Sequence, residues 1–490
     1  MKEASHFSDS IAEEWTAAAQ KARRRALSLG AAGAVLAAAL PAFGLWGYTV
    51  DDALIPARIA AHLAAGLGYR FNAGGAVADA VTPLGWAHAL VPFAGGGPLS
   101  ALSAAKWLGV VSWLLAAALL GVNIARAGER TARFAPLLVL SVCAPLAAWA
   151  VAGLETGVVT ALATLAVTPI RGAPLAAGLA AGLRPELLPW AVSVSFGIAA
   201  AERRGPRAIA LAIALAVLPP VAVAGVRLGV FGHAWPLAVL AKPSDLDHGL
   251  FYASWALVHT GPPLLVLAPW ALRRAGWRPI AIVAAALVHW IAVALAGGDW
   301  MPFYRLVVPV LPSLLLAGAS VAEHAASWAT ALRTVLAAAA CLLVLVPRAS
   351  DARAVGARRR ALITAARPAL AGAKSVAALD VGWVGAATEA SIVDLAGLTD
   401  PRIAALPGGH TTKRIPEGLL EARGVDALVL LADAPAPPDP WWTVRFANGV
   451  EQRVAVLASE QPFLPTLAIP LAGTHKTYFV LRLQAGAKKP

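Results

Sequence analysis

The stretch YTVDDALIPARIAAHLAAGLGYRFN, residues 48–72, decides how this chain is read. It begins where an apolar run ends. Residues 26–50 carry no charged side chain, and then Asp51 and Asp52 stand side by side. A run of about 25 apolar residues spans a ~30 Å hydrocarbon core. It is longer than a signal-peptide core, so it reads as a retained membrane helix. The two acids suit the N-cap and first turn of a following helix over 53–65. Acids at a membrane boundary are also functional candidates in their own right. Both readings apply to the pair.

The composition agrees with a membrane protein. Of 490 residues, 59% are hydrophobic and 14% charged, with mean hydropathy +0.69. A soluble domain carries about 25% charged residues. The fold class expected is therefore a polytopic α-helical membrane protein. The net charge of +13 points to basic cytoplasmic loops and membrane lipids as partners, not to nucleic acid. Cys143 and Cys341 both sit in apolar runs, which excludes a disulfide framework.

Charge sets the expected topology. Arg23, Arg24 and Arg25 hold the N-terminus in the cytoplasm, and the basic loops 126–133, 202–207 and 273–278 fall on the same side. Residues 1–25 read as a cytoplasmic amphipathic segment. Residues 26–348 read as a transmembrane catalytic domain of about eleven helices, with a first outer loop at 51–100. Among its spans are 134–153, 157–170, a short helical pair around LRPELL (183–188), and 251–271. Residues 349–490 read as a soluble extracytoplasmic α/β domain. Strands are expected at 375–381, 391–397, 425–431 and 476–483, and DVGWVG (380–385) reads as a structural turn.

On this topology the unusual polar residues gather on one face. They are Asp51, Asp52 and Arg58, then Glu155, Arg184 and Glu186, then Arg227, His233 and Lys242, and finally Asp299, Tyr304 and Arg305. Carboxylates beside several cations suit transfer of a sugar from a lipid phosphate. The cations stabilise the leaving phosphate, and a carboxylate accepts the proton of the incoming hydroxyl. Bland readings stand beside this one. Arg184 pairs with Glu186 at a helix start, Lys242 is an interfacial lysine, and Tyr304 with Arg305 anchors an aromatic belt. No His, Cys, Asp or Glu cluster has metal-ligand spacing. A divalent cation (magnesium, manganese or calcium) bridging Asp51 or Asp52 to a phosphate is compatible with the pair.

DDALIPARIAAHLAAGLGYRFN resembles the DD-x₅-R…G-x-G-x-x-[FN] signature of bacterial GT-C membrane glycosyltransferases that use polyprenyl-phosphate sugars. The resemblance is greatest to the terminal arabinofuranosyltransferase B branch. It continues through VTPLGW (81–86), AGLETG (152–157), LRPELL, RLGVFGHAWPLAVLAK (227–242), GGDWMPFYRLVVPVLP (297–312) and SIVDLAGLTDP (391–401). It implies an inverting transferase of the bacterial inner membrane. The donor would be a polyprenyl-phosphate sugar such as decaprenyl-phosphate arabinofuranose, and the acceptor a cell-envelope glycan or glycolipid. The resemblance assigns Asp51 as catalytic base, with Asp52 orienting it or the acceptor. It assigns Arg58, Arg227, Lys242 and Arg305 to the lipid phosphate, and Asp299 and Tyr304 to the sugar or the cavity wall. Two departures, the lack of an aromatic before Thr82-Pro83 and the Ala-Trp-Pro-Leu-Ala run at 234–238, bear on sugar and acceptor identity. A flippase for a lipid-linked sugar and a non-catalytic glycan-binding assembly protein are the rival readings. The first would place polar residues at both membrane faces or show repeat symmetry.

Overall fold

A computed structural model of the protein describes residues 2–484, with side chains from residue 18 onward. The amphipathic face expected of residues 1–25 lies mostly outside the described side chains. The backbone there joins the first apolar run in one helix, Lys2–Gly44.

Helices dominate, and a small sheet follows them. Six helices are long and apolar enough to cross a membrane: Ala18–Gly44, Pro98–Ile124, Pro206–Phe231, Trp277–Leu295, Arg305–Ala322 and Ser327–Ala369. The bent pair Arg130–Val142 and Ala144–Val151 makes a seventh if it is one span. The protein is therefore membrane-embedded.

This count is lower than the eleven spans expected, and proline and glycine account for much of the difference. The run 134–153 bends by 54° at Cys143. Pro145 has no N–H to donate, and its ring opposes the carbonyl one turn back. The run 251–271 is cut into Leu246–His259, Pro262–Leu265 and Pro269–Arg274. Gly261 turns the chain there at φ +80° just before Pro262 and Pro263. Thr156–Ala166 has 11 residues, about 16 Å at 1.5 Å per residue, roughly half a hydrocarbon core. The pair around LRPELL is present as Ala173–Leu183 and Leu188–Ala201, joined by a 3₁₀ turn at Pro185–Leu187. Small residues let these helices approach closely. A Cβ on Gly121 would strike the backbone of Gly30, and one on Gly157 that of Gly109.

The expected boundary at 348/349 is not a break. Ser327–Ala369 is a single helix of 43 residues, about 65 Å long and twice the hydrocarbon thickness. It carries Arg353, Arg358, Arg359 and Arg360 out of the bundle to the base of the sheet domain. The sheet has the order β2-β1-β3-β5-β4. Its strands are β1 (Ser375–Ala378), β2 (Ser391–Asp394), β3 (Ala427–Ala432), β4 (Phe463–Pro470) and β5 (Thr477–Leu483). β1 pairs in parallel with β2 and β3, and β5 is antiparallel to β3 and β4. The sequence did not reveal β4, because Pro465 and Pro470 speak against a strand. It is an edge strand with an irregular register at Pro465/Leu467, where proline is tolerated. At the other edge Asn72 of the first loop pairs with Ile392 like a strand residue. Its Nδ2 donates to the Ile392 carbonyl (2.9 Å), and its Oδ1 accepts the Ile392 N–H (2.8 Å).

DVGWVG proves to be the start of a helix, Val381–Ala387, not a turn. It lies against the first loop. Val381, Trp383 and Val384 share one buried cluster with Leu54, Ile55 and Ile59 of the helix Leu54–Ala64. The domain and the membrane bundle are therefore joined by a common core. Trp383 is fully buried and meets Tyr478 edge-on at 5.0 Å. Trp383→Ala is expected to destabilise the protein by about 3–5 kcal/mol and to expose the junction to proteolysis, readable as a lower unfolding midpoint and new cleavage near residues 350–390.

A second expectation concerns pH. Glu451 is buried and accepts the Leu431 N–H and the Asn448 amide. Burial pushes its carboxyl up to about 8 from an ordinary 4.5, against those hydrogen bonds. The folded protein thus holds a proton that the unfolded chain releases. That contribution is present below pH 4.5 and is lost as pH rises through about 8. Unfolding midpoints across this window should fall with pH, and Glu451→Gln should flatten the slope.

Candidate active site

The two aspartates open a 3₁₀ helix, Asp51–Ala53, after the extended Val50. With three residues per turn, neighbouring side chains diverge by about 120°. Asp51 and Asp52 accordingly face different surroundings.

Asp51 turns toward the domain. Arg359 Nη1 donates to Oδ1 (2.7 Å), Gly382 N–H to Oδ2 (2.8 Å) and Trp383 N–H to Oδ1 (2.9 Å). The N-terminus of the helix Val381–Ala387 thus sits on this carboxylate, an arrangement that its dipole favours. Gly382 permits the approach, since a Cβ there would lie 2.7 Å from Oδ2. Burial pushes the Asp51 carboxyl up, while Arg359 and the Gly382 N–H pull it down.

Asp52 turns the other way, into a cavity of about 80 Å³ that Arg184, Lys242, Arg305 and Glu155 also line. Thr82, Trp86 and Leu398 form parts of its wall. Among the described residues, no side chain donates to the Asp52 carboxylate. Lys242 likewise has no carboxylate partner among them. The other cations are held. Arg184 bonds Glu155 through Nε, lies 3.3 Å from Glu186, and reaches the Thr156 hydroxyl. Arg305 lies 2.8 Å from Asp299 and stands over the Trp149 ring at 5.5 Å.

The arginine is presented by a tightly folded loop. Gly297 and Gly298 have φ of +90° and +68°, and Phe303 and Tyr304 follow at +63° and +52°. Left-handed backbone at two bulky residues costs of order 1–3 kcal/mol each. Trp149 Nε1 helps hold it by donating to the Phe303 carbonyl at 3.0 Å. Tyr304 itself points to His259, with its hydroxyl 2.8 Å from Nδ1, and does not line the cavity.

Two expected phosphate ligands are committed elsewhere. Arg58 is fully buried, and its donors go to the carbonyls of Phe71, Gly385, Thr388 and Ala390. It staples the first loop to the domain. Arg227 bonds Asp79 Oδ2 (2.7 Å) and the Val81 (3.2 Å) and Thr82 (2.5 Å) carbonyls. It shapes the cavity wall from behind. His233 stacks on Phe231 with Nδ1 2.6 Å from the Trp235 carbonyl, away from the cavity lining. Among the described residues, the Glu186 carboxylate pairs with Arg184.

The domain closes one side. Asp394 is wholly buried and accepts the N–H groups of Ala396, Gly397 and Thr399, which shapes the turn that brings Leu398 to the cavity. Leu398 and Ala404 pack on Leu237 and Ala241, one residue before Lys242. His410 lies in the next loop. Burial, and after it the Lys242 charge, pull its imidazole down to about 4, while Asp52 and Asp299 act oppositely. Like Tyr304 and His233, it is not one of the residues that line the cavity. The sequence reading missed His410; its one available signal was the loop PGGH, 407–410, inside an otherwise regular domain.

Among the described residues, no three His, Cys, Asp or Glu side chains form a metal-sized group. Residues 355–475 match the family model of a domain of unknown function, DUF8728. No curated protein and no solved structure matches the chain.

The Asp79–Arg227 pair is nearly inaccessible on both sides. Removing one member leaves an uncompensated buried charge. Asp79→Ala should cost about 3–5 kcal/mol, measured by thermal unfolding in detergent, and Asp79→Ala with Arg227→Met should recover part of the loss.

Proposed function

We propose that this protein is an inverting glycosyltransferase of GT-C type that uses a polyprenyl-phosphate sugar, with Asp52 as its general base. The observation that carries the reading is a carboxylate with no cation partner among the described residues, lining one cavity with Arg184, Lys242 and Arg305. A cavity meant only for structure would pair that acid.

In this reading the sugar–phosphate oxygen bond lies near Lys242 and Arg305. The acceptor hydroxyl attacks the anomeric carbon from the Asp52 side. Its proton passes to the Asp52 carboxylate as the carbon–oxygen bond to phosphate breaks. Lys242, the cation free of carboxylates, and Arg305 take up the charge that grows on the leaving phosphate. Glu155 and Asp299 hold Arg184 and Arg305 in place. A divalent cation would be held by Asp52 and would supply charge neutralisation at the leaving phosphate. Asp51 then acts as a positioning residue, in contrast to the assignment that the family resemblance implies.

The finer topology belongs to the same proposal. The chain crosses the bacterial inner membrane about eleven times, short helices included, with the N-terminus cytoplasmic and the domain outside. The donor is a polyprenyl-phosphate pentose or hexose, decaprenyl-phosphate arabinofuranose among them. The acceptor is a cell-envelope glycan or glycolipid.

The test is transfer by the purified protein from a panel of polyprenyl-phosphate sugars to a glycan acceptor. Asp52→Asn is expected to lose about 10²–10⁴-fold in turnover with donor binding and unfolding midpoint retained. Asp51→Asn should lower the midpoint. Full activity in Asp52→Asn, or loss in Asp51→Asn at unchanged stability, would overturn the assignment.

A further inference from the structure

Arg359, the partner of Asp51, also lines a second recess of about 130 Å³. Trp46, Thr49, Ser103, Lys106, Arg359 and Arg360 line it, with Leu54, Leu102 and Ile363. A single water needs roughly 10–15 Å³ of such space, so a phosphate-sized group fits inside it, and any lipid chain must lie outside.

No carboxylate among the described residues lines this recess. Lys106 Nζ spends its three donors on the Trp46 carbonyl (2.6 Å), the Tyr48 carbonyl (2.9 Å) and the Thr49 hydroxyl (2.7 Å). These partners are neutral, so Lys106 brings no carboxylate into the recess, and the standing positive charge comes from Arg359 and Arg360. Arg359 gives Nη1 to Asp51 and Nε to the Thr49 carbonyl. Its Nη2, and all of the exposed Arg360, have no acceptor among the described residues. The recess therefore combines excess positive charge with donors that await an anion.

Its rim is apolar and faces outward. Trp46 packs on Trp107 at 4.8 Å and on Phe43 at 5.9 Å. Trp107 is 51% and Phe43 46% exposed, and Leu36, Leu40 and Val111 continue an exposed strip along two membrane-spanning helices. Aromatic rings at a helix end mark the headgroup level of a bilayer. A free phosphate would gain nothing from this strip, whereas a lipid would use both parts.

We propose that the recess binds the phosphate headgroup of an anionic phospholipid, with its acyl chains lying along Phe43, Trp107 and Val111. The bound anion would meet Arg360 and Arg359 Nη2 directly. It would thereby brace the helix Ser327–Ala369, which holds Asp51, against the helix Pro98–Ile124. The inference does not depend on the reaction proposed above.

Native mass spectrometry of the full-length protein in detergent tests it, with phosphatidylglycerol and phosphatidylcholine as probes. Wild type should retain phosphatidylglycerol preferentially. Arg360→Gln should reduce that retention about fivefold, the contribution of one basic residue at a lipid surface. Arg360→Lys should restore most of it, and Arg445→Gln, on the exposed face of the domain, should leave it unchanged. Arg360 is exposed, so the melting midpoint of the lipid-free protein should not move in these variants. Equal retention by wild type and Arg360→Gln would overturn the proposal. So would displacement of the lipid by millimolar inorganic phosphate, which marks a free-anion site, or preference for a polyprenyl phosphate, which marks a donor site.

Discussion

The arrangement of this molecule depends on one buried carboxylate. Asp51 receives a guanidinium from the helix Ser327–Ala369 and two backbone N–H groups from the helix Val381–Ala387. Three segments far apart in sequence converge on two oxygens. Taking a carboxylate and an arginine out of water costs several kcal/mol per ion, which only close geometry and additional donors offset. Here the additional donors are the peptide groups at a helix start, whose hydrogen bonds to an anion are short and strong. The domain cannot rotate or withdraw without leaving that charge bare.

The same constraint orients the candidate active site. Because Asp51 is tied to the domain, the next residue of a 3₁₀ turn must look the other way, and Asp52 reaches the cavity with no partner among the described residues. Buried arginines set the walls. Arg227 pulls Val81 and Thr82 into position, and Arg58 fixes the loop carbonyls at Phe71, Gly385, Thr388 and Ala390. Arg58 gives Nε, Nη1 and Nη2 to protein carbonyls, and Arg227 gives Nε and Nη2 to Asp79, Val81 and Thr82. Charged residues at the edge of this membrane bundle thus divide into two kinds. Those with their hydrogen bonds satisfied are architecture. Those with donors or acceptors still open, Asp52, Lys242 and Arg360, are where chemistry or binding can occur.

Much of this was legible in the chain. Hydropathy separated the membrane bundle from the domain, and short β-like runs located four of five strands, because both patterns are local. The polar residues near the bundle edge could be enumerated for the same reason, and Asp52, Glu155, Arg184, Lys242 and Arg305 do line one cavity. What the letters left open was assignment within that group. Asp51 and Asp52, or Arg58 and Lys242, are equivalent as letters. They differ only in what a distant segment brings to them. β4 was hidden by its prolines, and His410 by a loop with no periodic signal.

By itself the sequence determined that the chain enters a membrane, where its apolar runs lie, and which residues carry charge to its edges. Those properties follow from composition over windows of a few turns. Only the tertiary structure decided which charges are spent and which remain. That outcome rests on contacts between residues more than 300 positions apart, such as Asp51 with Gly382 and Arg58 with Ala390. A carboxylate enclosed by donors is a clasp, and the one beside it, left open to a cavity of cations, is a candidate base. The opening pair DD states that two acids are present, and the packing of the domain against the first loop separates their roles.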